Sequence, residues 1–559
     1  MFNFDPLSTA IPGESFSGTQ TGYSFASYLL GIVDRGAILD PVGLGDRRRY
    51  FALFFQDDFK VTPKFTLNLG LRWEYQPPGY EAHDLLSSWN PTKIDPVSGL
   101  PGAYDFAGDC QGCTGERFFG RKSFRNFSPH FGFAYQFSNR WTVRGAYGIY
   151  YEADMFNTLP NFGTALGKPT NVQAGGTWQL DPNPVNRWAG IFNWDGGVPS
   201  NRFTPPSLDV SWGNRNRPGM IDPDYGRTGY NQQWNLNVQR QLPFNVVLDL
   251  GYVGNKSTGL KAGELKRLNQ LSPTVLAQFG SKLNNPVRNA QEAAANGIKY
   301  PYPGFQGTVG SALRPFPQVQ GNATVEVFGS PLGFANYHAL QVTLNRQFSS
   351  GATVYANYVW SKTLTNIRSL RHGDNPLRPL DYYDLRLEKA LAEEDRPHFL
   401  KLYFDYQLPI GRGKAIWGDA PRVVNAILGG WGVSGILNYG SGTPMGFFGL
   451  TPLAGAGGWN GAVNRANVAA GDLTKGFSKD GFDFFNPAAP SNSYLDKAKF
   501  SNPPPLTLGT AAHRLGGARN PKPSRKTSRC KRTTISRRST GSKSGPTCST
   551  PSTVLFQRC

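Results

Sequence analysis

The sequence predicts an all-β chain, an antiparallel transmembrane β-barrel with long loops at one end and short turns at the other. Three observations carry this prediction. Segments of about eleven residues alternate between apolar and polar side chains. Short and long connections alternate between those segments. The composition is that of a Gly-punctuated aromatic β protein, with 66 Gly, 43 Pro and 13% aromatic residues against four Met. Mean hydropathy is −0.41, and no run of about 18 apolar residues occurs, which excludes a membrane-spanning helix. A barrel stays open, because its strands average out on a hydropathy scale.

The clearest strand is Phe65–Tyr75. Phe65, Leu67, Leu69, Leu71, Trp73 and Tyr75 alternate with Thr66, Asn68, Gly70, Arg72 and Glu74. One face is therefore apolar and the other polar, at the length a tilted strand needs to cross a bilayer. Tyr50–Lys60 precedes it across the turn Val61–Lys64. The unit recurs as Phe131–Phe137 with Trp141–Tyr151, and as Trp234–Arg240 with Val246–Tyr252. Leu340–Leu344 then pairs with Val354–Trp360, and a looser pair is Phe399–Leu408 with Trp431–Tyr439. That makes about ten strands in five pairs.

In the first four pairs the internal turn is about three or four residues, whereas the stretches near 77–125, 154–228, 256–335 and 363–395 separate the pairs. An outer-membrane barrel shows this asymmetry, short on the periplasmic side and long outside. A soluble β-sandwich also alternates, but its strands are shorter and its loops are not long at one end only. The boundaries read as a lead-in over 1–49, the barrel portion over 50–520 and a basic irregular tail over 521–559.

The net charge of +20 suggests nucleic acid until its distribution is considered. From Pro521 to Cys559 there are ten Lys or Arg and no acid. Half the excess sits in a tail without alternation, so no nucleic-acid partner is expected. Cys530, Cys548 and Cys559 share that tail, while Cys110 and Cys113 lie in a polar loop. No second pair stands at zinc spacing; a small loop disulfide or two idle thiols remain. No catalytic motif is present, and neither an enzyme, a metal nor a cofactor is expected. Gly411-Arg-Gly-Lys414 is too short for a phosphate loop and reads as a turn; Glu393-Glu-Asp395 beside His398 reads as a solvated loop. Thr66, Asn68, Arg72, Glu74, Arg144 and Glu152 are the lumen-facing candidates. Trp178, Trp188, Trp194 and Trp212 could offer flat faces to a ligand, or form a small core of their own loop.

Several stretches resemble the barrel of Oar-like TonB-dependent transporters. They are Phe55–Arg72 (FQDDFKVTPKFTLNLGLR), Asn126–Tyr135 (NFSPHFGFAY) and Asn231–Arg240 (NQQWNLNVQR). Asp395–Phe399 (DRPHF), Leu408–Gly413 (LPIGRG), Gly429–Gly435 (GGWGVSG) and Ser441–Pro444 (SGTP) follow in order. The resemblance runs from about residue 20 to about 520 and implies an outer-membrane location, contact with lipid and transport coupled to the TonB complex. In that family a signal peptide, a carboxypeptidase-regulatory-like domain and a plug precede a barrel of about 22 strands. None of these is recognised here: Met1–Ser15 has no basic region followed by an apolar core. The start reads as an incomplete gene model.

The tail has its own explanation. Relatives resemble one another there in strings such as L-Q-K-D-Y-Y-L and D-M-F-N-A-F-N-R. Codons for Thr547–Val554 (TCSTPSTV), read one nucleotide earlier, can spell D-M-F-N-A-F-N-R, and Cys530–Ser536 (CKRTTIS) can spell L-Q-K-D-Y-Y-L. A frameshift near residue 523 is the expectation. Three functions follow: the barrel portion of an energised importer, a structural or adhesive surface barrel, or a non-functional gene fragment. The substrate is not legible.

Overall fold

The structure is a computed structural model. It describes residues 2–10, 22–39, 45–152, 177–180, 190–197, 210–211, 218–319, 325–347, 352–367, 379–446, 451–452, 463–475, 486, 489, 492–520 and 524–532. Its centre is one antiparallel meander of long strands, each hydrogen-bonded to its neighbours in chain order. These are β1 (Phe51–Thr62), β2 (Phe65–Tyr75), β3 (Asn126–Ser138), β4 (Trp141–Tyr151), β5 (Tyr230–Leu242) and β6 (Val246–Leu260). They continue as β7 (Gly333–Gln347), β8 (Ala352–Thr365), β9 (His398–Gln407), β10 (Trp431–Gly440) and β11 (Ser524–Arg532). At about 3.3 Å per residue and a tilt near 45°, eleven residues span about 25 Å of membrane normal.

The register lines up the apolar rows. Leu71 lies opposite both Phe55 and Pro129, and Leu69 opposite Phe131. Tyr147 lies opposite Trp234, Leu250 opposite Val238 and Val342, and Ala356 opposite Leu344 and Leu402. Because strand side chains alternate, a single register error would exchange the two faces. Pro129 cannot donate to a ladder, and it sits where this costs least: its pairing with β2 is made, while the ladder to β4 begins at His130. On the apolar face Gly145, Gly254 and Gly435 lie beneath the rings of Phe133, Trp234 and Phe404. A Cβ at those positions would enter the ring, so aromatic cover replaces the missing side chain.

Two features depart from the sequence reading. The tail is not irregular throughout: Ser524–Arg532 pairs with β10 in continuous register from Tyr439↔Ser524 to Trp431↔Arg532. The pairing places Lys526, Cys530 and Arg532 opposite Leu437, Val433 and Trp431 in the backbone register. Secondly, the long connections are packed structures with short helices at Pro273–Phe279 and Ala290–Ala295, capped by Ser272 and Asn289 accepting from Val275 N and Glu292 N. Among the described residues the sheet has two edges, β1 and β11, and no helix is long and apolar enough to cross a membrane.

Candidate functional site

The polar face of the sheet is the candidate site, roofed at one end by the long connections. Thr66, Asn68, Arg72 and Glu74 share a face of β2, and Arg144 stands on the same face of β4 through the register Thr66↔Ala134↔Arg144. Four of these side chains, Asn68, Arg72, Glu74 and Arg144, are held by neighbouring side chains. Asn68 Nδ2 donates to Asp58 Oδ1 at 2.6 Å. Arg72 pairs with Glu74 and donates to the Tyr50 hydroxyl at 2.8 Å. Arg144 donates to Gln239. Glu152 lies one residue beyond β4, where its backbone N–H donates to Gly229 O at 2.9 Å, so it belongs to the rim.

The sequence reading passed over most of this face. Asn231, Gln233, Asn235, Asn237 and Gln239 alternate along β5 and meet Tyr150, Gly148, Ala146, Arg144 and Thr142 across the ladder. Five alternating amides are the signal that could have found them. A groove of about 560 Å³ crosses this end of the sheet, lined among others by Gln56, Asn68, Arg72, His130, Tyr150 and Asn235. Further along, Tyr355, Tyr403 and Ile436 stand side by side on the same face, an apolar patch in a polar surface.

The roof is built from interlocked connections. Trp89, Tyr104 and Phe106 from 76–125 pack with Met220 from 152–229 and with Val319, Val325 and Val327 from 261–332. The Tyr104 hydroxyl accepts from Gly219 N at 3.0 Å, and burial raises its pKa. The Arg314 guanidinium, in 261–332, is pushed down to about 10 by burial. Gln270 bridges to Asp381 at 2.6 Å, joining the third connection to the fourth. The fourth meets the last region through Glu388 with Arg465 at 2.5 Å, both buried, and Asp395 with Arg519 at 2.7 Å.

That last pair corrects the reading of Glu393-Glu-Asp395 as a solvated loop. Asp395 is 1% exposed and also accepts from Thr363 N at 2.7 Å, while Glu393 pairs with Arg514. A desolvated carboxylate needs such partners, which lay more than a hundred residues downstream. His398 does not join them; its Nδ1 meets the Tyr358 hydroxyl at 2.8 Å. Arg519 further donates to Gly442 O at 3.1 Å, so the DRPHF and SGTP segments converge on one rim site.

Trp188 and Trp212 lie outside the described residues. Trp178 falls on a strand, Thr177–Leu180, paired with Arg35–Leu39. Trp194 is half exposed and packs edge-on against Phe2 at 5.0 Å and beside Phe192. Cys110 and Cys113 are joined as a disulfide with Cα atoms 5.1 Å apart. Gly411–Lys414 is a turn, closed by Lys414 N donating to Gly411 O at 2.9 Å. No cluster of three or more metal-ligating side chains occurs among the described residues.

Residues 2–525 match the family described as outer membrane beta barrel domain. The chain belongs to that family. No curated protein matches it. Among solved structures it is similar to the ferripyoverdine receptor of the outer membrane of Pseudomonas aeruginosa, at 9% identity and a TM-score of 0.30, covering 72% of this chain and 30% of the other. The alcaligin outer-membrane receptor FauA of Bordetella pertussis gives 11% identity and a TM-score of 0.27, over 71% and 38%. The FrpB iron transporter of Neisseria meningitidis gives 8% and 0.31, over 72% and 34%. The chain thus spans about a third of the length of these structures.

Proposed function

We propose that this chain is the wall and surface-loop portion of a TonB-dependent outer-membrane transporter. The observation that carries the reading is the two-faced sheet. One row of apolar side chains runs continuously from Phe65 of β2 to Tyr439 of β10, and the opposite face carries amides and paired charges over β2–β5. A wall between lipid and water requires that arrangement. The ordered segments from Phe55–Arg72 to Ser441–Pro444, which resemble Oar-like transporters, supply the TonB dependence. On this reading Thr66, Asn68, Arg72, Glu74 and Arg144 line the lumen, and Glu152 stands at its outer rim. The long connections face outward and the short turns face the periplasm.

Cysteine accessibility tests the wall. Asn237→Cys should react with a membrane-impermeant maleimide in vesicles, and its neighbour Leu236→Cys should not. Equal labelling of the two would sink the proposal. Coupling to TonB is tested separately, by whether uptake in cells carrying the whole gene stops when the proton-motive force is collapsed.

A further inference from the structure

At the short-turn end the connection between β9 and β10, residues 408–430, is longer than the other turns. It turns through Gly411 and Gly413, at φ 116° and 73°, and forms a helix over Arg422–Leu428. The apolar side chains of this segment face outward: Trp417 is 57% exposed, Val423 72% and Ile427 62%, with Ile416 and Leu428 exposed beside them. Val423 and Ile427 stand four apart on one helix face. Arg412, Lys414 and Arg422 are exposed among them, and Asp419 is the segment's only acid.

The segment is fastened to the lipid-facing side of the wall. Trp431 begins the apolar row of β10, and its indole N–H donates to Ile427 O at 2.8 Å. The same end of that row carries Arg240 over the Trp141 ring at 4.5 Å and Arg346 over Phe244 at 5.7 Å. Cations beside aromatic rings are the side-chain chemistry of a membrane–water interface. We infer that residues 408–430 form an interfacial anchor in the periplasmic leaflet. Trp417, Val423 and Ile427 enter the acyl boundary, while Arg412, Lys414 and Arg422 hold the headgroups of anionic phospholipids. The apolar patch continues the lipid-facing belt, and its charge is complementary to a phosphodiester. The inference rests on the barrel reading above.

The test uses the full chain in vesicles of phosphatidylethanolamine with or without phosphatidylglycerol, the lipids brominated at shallow or deep acyl positions. Differences between the parent and the variants Trp417→Phe and Trp360→Phe isolate each indole's fluorescence. Trp360 reports the belt at the opposite end. Both should be quenched, Trp417 more by shallow than by deep bromine, and more strongly with phosphatidylglycerol present. Replacing Arg412, Lys414 and Arg422 by Gln should weaken the phosphatidylglycerol dependence, by about fivefold for each charge removed. Quenching of Trp360 without Trp417 would overturn the anchor and leave the barrel standing. Quenching of neither would overturn both. Quenching of Trp417 that ignores phosphatidylglycerol would overturn the headgroup assignment.

Discussion

The sheet and the roof of loops above it are built by opposite rules. In the strands the large apolar side chains are outside: Leu53, Phe55, Leu71, Leu236, Leu250 and Trp360 are all exposed. In the connections they are inside, and the largest fully buried side chains, Trp89, Tyr104, Phe106 and Phe305, all belong there. Charges follow the same division. The roof buries Glu388, Arg465, Asp222 and Asp395 in paired sites, whereas Arg72 and Arg144 stand on the open polar face of the sheet. One chain therefore obeys the solvent rules of water in its loops and of hydrocarbon in its strands. An exposed Leu is ordinary in the first setting and structural in the second.

The largest effect should come from the roof. Trp89→Ala removes an indole packed at 4.7 Å against Phe316 and should cost about 3–5 kcal/mol locally. Protease cleavage within 76–125 and 261–332 should accelerate together, while strand content by infrared spectroscopy stays unchanged. Loss of the strands as well would show that roof and sheet form one cooperative unit.

Leu250→Arg comes next and discriminates most sharply. In water, a surface change at a side chain already 42% exposed should cost within about 0.5 kcal/mol. Facing lipid near mid-strand, it should cost about 2–4 kcal/mol in denaturant unfolding from bilayers. A cost near zero would break the comparison.

The smallest effect is acid loosening of the roof. Burial pushes the Asp222 carboxyl up, but hydrogen bonds from Lys266 at 2.8 Å and from Ser330 outweigh it, and the pKa lies below its ordinary value. In Asp95 burial likewise pushes up and is outweighed by Ser211 and Ser98. A depressed folded pKa means that the ionised form stabilises the fold. That contribution is complete above the unfolded value of about 3.9 and is lost as pH falls through the folded value. Amide exchange in the roof should therefore rise below about pH 4, with Asp222→Asn abolishing part of the change. A roof whose exchange ignores pH in that window would show that these carboxylates do not hold it.

The strands were legible because their information is local. Alternation over Phe65–Tyr75 or Trp141–Tyr151 needs no distant partner to be recognised, and the structure gives both strands with those bounds. The first residues of β3, Asn126–His130, could not be read this way. Pro129 stands where the alternation calls for a large apolar side chain, and only the ladder to β2 makes the stretch a strand.

What the sequence determined by itself was the two-faced strand, the asymmetry of short and long connections, and hence the barrel class. Tertiary structure decided the rest, because buried charges and loop cores depend on residues far apart in the chain. Glu388 finds Arg465 across 77 positions, and Asp395 finds Arg519 across 124. No spacing rule announces such pairs, since the penalty for an unpaired buried charge is felt only once the chain has brought it out of water.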